Sequence, residues 1–87
     1  MSRSLDIQFH NAFDNLSKLK DSLPPDMMLK LYAYYKQAIS GDSFQVNVKP
    51  DVRDAFKFNA WMQLKGMSQE EAKKEYILLA NSILNQD

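Results

Sequence analysis

Only two glycines and three prolines occur in this chain of 87 residues, and they stand at joints rather than inside periodic segments. Pro24-Pro25, Gly41-Asp42, Pro50 and Gly66 make four breaks. Proline removes a backbone donor and glycine costs the most backbone entropy, so both tend to end regular elements. Between the breaks the spacing predicts four helices, over about residues 4–19, 25–39, 52–65 and 68–85. The last start is the best marked, because Ser68 with Glu71 three residues on reads as a capping box. Residues 43–50 alternate somewhat like a strand but are too short and isolated to pair, and are read as a loop. The expectation is an all-α fold in a single domain over residues 1–87.

Composition narrows the chemistry. With 45% apolar residues the chain can bury one core. Eleven basic and eleven acidic residues cancel and are interspersed, whereas a sequence-independent nucleic-acid binder needs a basic excess. There is no cysteine, so disulfides, thiolate chemistry and Cys-based zinc sites are excluded; the single His10 cannot build a metal site alone. No apolar run approaches the roughly 20 residues of a membrane span. The first residues show no signal-peptide core, and a cytoplasmic protein is expected.

At about 100° per residue, Leu5, Phe9, Ala12, Phe13 and Leu16 form one apolar stripe on the first helix. Ala72, Tyr76, Leu79, Ala80 and Ile83 do the same on the fourth. Both read as ordinary core faces. The second helix carries more. Met27, Leu31, Tyr34 and Ala38 suffice for a core, while Lys30, Ala33 and Gln37 read as a polar sector. Met28, Tyr32, Tyr35 and Lys36 occupy a third sector, flanked by Leu29 and Ile39. Either this helix lies between two layers, or its second stripe contacts something other than this chain.

Tyr32, Tyr35 and Lys36 stand at i, i+3 and i+4 and are neighbours on one surface. Two phenols beside an ammonium suit a ligand that carries both an aromatic ring and a phosphate. On the third helix Lys57 shares a stripe with Ala60, Trp61 and Leu64. It reads either as a rim lysine that snorkels to water or as a cation that closes over an anion, with Arg53 one turn earlier adding to the same positive spot.

Leu29-Lys30-Leu31-Tyr32-Ala33-Tyr34-Tyr35-Lys36-Gln37-Ala38, followed by Gly41-Asp42, resembles the second-helix signature of the acyl-CoA-binding protein family. Lys57-Phe58-Asn59-Ala60-Trp61 with Leu64-Lys65-Gly66 is similar to its third-helix motif, and Ser68-Gln69-Glu70-Glu71-Ala72 with Tyr76 to its fourth-helix start. The match runs in order along essentially the whole chain. The resemblance implies a four-helix, up-down-down-up bundle that binds medium- to long-chain acyl-CoA one to one as a monomeric intracellular carrier and pool former. It implies no catalytic residue, metal or cofactor, and only transient contact with acyl-CoA-using enzymes. By the family pattern Tyr32 meets the CoA phosphates, Tyr35 stacks on adenine, Lys36 and Lys57 hold the 3′-phosphate, and Tyr76 meets the head group. Met28 and Leu29 would line the acyl groove with Phe56 across from them, and Trp61 would belong mainly to the core.

Some positions depart from the pattern. Residues 43–50 replace the usual loop, Phe58 stands where a second tryptophan is common, and Ser17 where many members have lysine, with Lys18 next door. Phe13 and Phe56 replace residues that are often alanine and are expected to line the groove. These changes bear on chain length more than on CoA recognition. An acyl chain gains roughly 0.8 kcal/mol per buried CH₂, less the cost of association and ordering.

The alternative is a helical protein-interaction module that has lost its ligand, whose mark would be loss of the Tyr/Lys set; here all five members are present. An enzyme fits less well, because His10 has no nucleophile nearby and Glu70, Glu71 and Glu75 read as helix-start charges and a solvated face.

Overall fold

A computed structural model describes residues 3–19, 22–43 and 52–85, with side chains in the third helix from Ala55 onward. Four helices follow one another: α1 (Arg3–Ser17), α2 (Pro25–Ser40), α3 (Val52–Met62) and α4 (Gln69–Leu84). The breakers act where they were expected to. Pro24 takes extended angles at the N-cap of α2 and Pro25 opens the helix, where its missing N–H costs nothing. Gly41 ends α2 at φ 60°, and its N–H returns to the Gln37 carbonyl. Ser68 caps α4 by accepting from the Glu71 N–H at 3.0 Å, the serine half of the expected capping box.

The third helix stops at Met62, three residues short of the expected end at 65. From there the chain tightens into i→i+3 bonds, Leu64 to Trp61, Lys65 to Met62 and Met67 to Leu64. The Gly66 N–H, at φ 94°, then turns to the Asp42 carboxylate. Of the expected loop at 43–50, only Ser43 lies within the described residues.

Helix directions follow from the cross-helix pairs. Asp6 bonds Lys73 and Phe9 meets Tyr76, so α1 and α4 run parallel. Lys57 sits over Tyr32 and Lys36 over Trp61, so α2 and α3 also run parallel. Tyr35 meets Tyr76 while Gln37 bonds Met67, so α2 and α4 are antiparallel. The result is the up-down-down-up bundle, with α4 packed on α1 and α2, and α3 on the far side of α2.

The core gathers Phe9, Ala12 and Leu16 of α1, Leu31 and Ala38 of α2, and Ala72, Tyr76, Ile77, Ala80 and Ile83 of α4. One expected face is overturned. The sector of Lys30, Ala33 and Gln37 is not a polar surface, since Ala33 is 4% and Gln37 0% exposed; only Lys30 faces water. Gln37 is turned toward α3. Its Oε1 accepts from Trp61 Nε1 at 2.9 Å, and its Nε2 donates to Asp42 Oδ1 at 2.8 Å and to the Met67 carbonyl at 2.7 Å. A buried amide is tolerated because both of its ends are used. Helix α2 is therefore central, packed on two sides, with its third side open.

Candidate functional site

That open side is the floor of a groove of about 880 Å³. Helix α2 contributes Met28, Leu29, Leu31, Tyr32 and Tyr35 to it. These residues recur at three- and four-residue intervals, so a regular helix presents them as one strip. Phe13, Leu16 and Ser17 of α1 form one wall, Phe56 and Lys57 of α3 the other. Leu23 and Pro25 close the side of the α1–α2 turn, and Tyr76 reaches in from α4. The volume falls within the roughly 300–1,000 Å³ of small-molecule sites, and most of the lining is apolar, as in such sites.

The polar groups are few. Tyr32, Tyr35 and Tyr76 supply phenols and Lys57 an ammonium; no carboxylate or imidazole lines the groove among the described residues. Ser17 donates its hydroxyl to the Asp14 carbonyl at 2.7 Å, so it is tied to its own helix. The site offers hydrogen-bond donors and positive charge beside a long apolar wall. That set suits an anion with an apolar extension.

Two of the tyrosines, Tyr35 and Tyr76, are held by other rings. Tyr35 stacks on Phe13 with centroids 4.9 Å apart and planes at 23°, and lies nearly parallel to Phe9 at 5.9 Å. Tyr76 meets Phe9 edge-on at 5.0 Å and Tyr35 at 6.3 Å. Tyr76 is 3% exposed, and burial, with some repulsion from Tyr35, pushes its phenol up to about 12. It is a neutral donor at any physiological pH.

Both lysines rest on aromatic faces. Lys57 Nζ stands 5.2 Å from the Tyr32 ring centre, and Lys36 Nζ 4.9 Å from that of Trp61. The indole is itself held by its edge, since Nε1 donates to Gln37 and, at 3.2 Å, to the Gly41 carbonyl. Asp42 completes this support: hydrogen bonds from Gln37 and then from the Gly66 N–H hold its carboxyl below the ordinary 3.8.

Of the residues singled out in the sequence, Tyr32, Tyr35, Lys57, Tyr76, Met28, Leu29, Phe13 and Phe56 all line this groove. Lys36 stands beside it on Trp61 rather than in its lining. The side chain of Arg53 lies outside the described residues. Phe13 enters through its stack on Tyr35, a residue expected at the head-group end. Leu16 and Leu31, read from the sequence as core, and Leu23 and Pro25 at the α1–α2 joint line the groove as well without having been expected there. Leu31 stands three residues after Met28 and Leu16 three after Phe13, a signal the periodicity carried; Leu23 and Pro25 sit in a joint, where periodicity is silent.

Comparison with known proteins gives a consistent answer. The family model described as acyl-CoA-binding protein matches residues 6–80. An acyl-CoA-binding protein of Saccharomyces cerevisiae is 42% identical over 79 residues, spanning 83% of this chain and 88% of its own length. A homologue from Manduca sexta is 42% identical over 85 residues, spanning 93% and 92%. The crystal structure of acyl-CoA-binding protein 2 from Oryza sativa matches the fold with a TM-score of 0.78 at 30% identity, covering 92% of this chain and 90% of that one. With a family match along most of the chain, relatives above two-fifths identity and the same bundle in a solved structure, the chain belongs to the acyl-CoA-binding protein family.

Proposed function

We propose that this protein binds medium- to long-chain acyl-CoA esters, one per molecule, and carries or buffers them in the cytoplasm without catalysis. The observation that carries this reading is the continuity of one groove. The apolar strip of Met28, Leu29 and Phe56 runs into the phenols of Tyr32, Tyr35 and Tyr76 and the ammonium of Lys57. A free fatty acid would use only the first part, free CoA only the second.

In this reading Tyr32 donates to the CoA phosphates, Tyr35 stacks on the adenine, and Lys36 and Lys57 hold the 3′-phosphate, with Arg53 adding charge nearby. Tyr76 donates from α4. Met28, Leu29, Phe56 and Phe13 shelter the chain. The reading calls for no catalytic group. The protein acts as a single domain and a monomer, and hands its cargo to acyl-CoA-using enzymes through transient contact. The reading calls for no cofactor.

Calorimetric titration tests it. Palmitoyl-CoA is expected to bind tightly, with free CoA and palmitate each weaker by at least a hundredfold, on the order of 3 kcal/mol. Palmitate binding as well as its CoA ester would remove the head-group assignment. Failure of every ester to bind would leave the helical interaction module in its place.

A further inference from the structure

The α2–α3 seam carries two reciprocal contacts. A lysine of α2, Lys36, lies over a ring of α3, and a lysine of α3, Lys57, lies over a ring of α2. The helices run parallel, so the two contacts follow each other along the seam, about one helical turn apart. Among the described residues the ion pair is Lys73 with Asp6, on the α1–α4 side; neither seam lysine is spent on a carboxylate.

The two rings are supported differently. Tyr32 is half-buried at the groove. Trp61 is 3% exposed and pinned by its Nε1 to Gln37 Oε1, while Gln37 is locked by Asp42 and the Met67 carbonyl. An indole held this way cannot swing. Its face is a fixed platform; an ammonium resting on it turns part of its N–H set to the ring and leaves the rest to meet an anion. A lysine loses side-chain entropy when it grips an anion, and one already ordered loses less.

We propose that Trp61 is a positioning residue: its ring face, held edge-on by Gln37, fixes the Lys36 ammonium at the anionic end of the ligand. This rests on the acyl-CoA reading above and goes beyond it, since there Trp61 is only core. Lys36 remains on the ring when the ligand binds, so the ring strengthens the grip on the phosphate.

A double-mutant cycle on the full chain tests this, with palmitoyl-CoA and its 3′-dephospho counterpart as ligands. Trp61→Phe, which keeps a ring but no edge hydrogen bond, is expected to weaken palmitoyl-CoA binding by roughly three- to tenfold. Trp61→Leu is expected to weaken it further. Both losses should shrink to nearly nothing with Lys36→Met in the background, and with the dephospho ligand. Losses of equal size with and without Lys36, or tighter binding by Trp61→Phe, overturn the proposal. Melts of each variant show whether it is folded, and Trp61→Phe carries the cycle if Trp61→Leu is not. Trp61 is the single tryptophan, so a second readout needs no ligand. Lys36→Met should shift its fluorescence emission, because a cation over the ring alters the energy of the excited indole; unchanged emission also overturns the proposal. Palmitoyl-CoA failing to bind the wild-type chain would instead remove the functional reading itself.

Discussion

Tyr76 is a core residue and a groove residue at once, and burial gives its phenol a value of about 12 against an ordinary 10.0. The folded chain therefore keeps the proton more tightly than the unfolded one. The resulting stability is fully present below pH 10 and is lost as pH rises toward about 12, because only the unfolded form then gains by ionising. Tyr76→Phe should abolish this alkaline loss, worth on the order of 2–3 kcal/mol, in urea unfolding run from neutral pH upward. Parallel decline of both proteins would assign it to other groups. Gln37 shows the opposite limit of sequence reading. An amide on a helix reads as solvated, but its partners stand 5, 24 and 30 residues away in the chain, and only the fold brings them to it. Periodicity ranks side chains by type and is blind to satisfied polar burial.

At the level of elements, local chemistry decides where helices start more firmly than where they end. Ser68 does what its sequence context predicts, because a hydroxyl and an N–H three residues on meet within one turn. Ser68→Ala should lower stability by about 1 kcal/mol and Ser68→Asp by much less, as read from thermal melts. Equal losses would mean that the hydroxyl serves some contact other than the cap. The end of α3 is the contrary case. Its last turns tighten after Met62 as Gly66 approaches Asp42, a residue from the end of α2, so a non-local hydrogen bond sets a local boundary. The parallel run of α2 and α3 was legible only through the family resemblance. Nothing in the periodicity of either helix orders its direction against the other.

For the whole molecule, the groove exists because α2 packs on α4 through one face and on α3 through another, leaving the third uncovered. Phe56 stands at its edge, 58% exposed, and has much to gain from an apolar guest. Affinity is expected to keep rising with each added CH₂ from about twelve to sixteen carbons, by at most roughly 0.8 kcal/mol per step. Phe56→Ala should weaken the longest esters most while leaving unliganded stability within about 0.5 kcal/mol, as for other surface positions. Calorimetry across the chain-length series reads both. Equal loss at every length would make Phe56 merely structural, and a gain confined to long esters would show that its ring blocks the groove.

By itself the spacing determined the four helices, most of the core stripes of α1 and α4, and the open sector of Met28, Tyr32 and Tyr35, because these depend on intervals along one chain. Phe13 and Tyr76 read from it as plain core, and they and Phe56 were expected at the groove only through the family resemblance. The breakers, the cap at Ser68 and the helical repeat act within a few residues, where backbone geometry is the whole of the physics. Tertiary structure alone decided the burial of Ala33 and Gln37, the early end of α3, and the seating of Lys36 on Trp61 rather than in the groove. Each of those depends on a partner from another helix. A side chain's neighbours across a bundle are set by packing, and packing is not written in the period of any single helix.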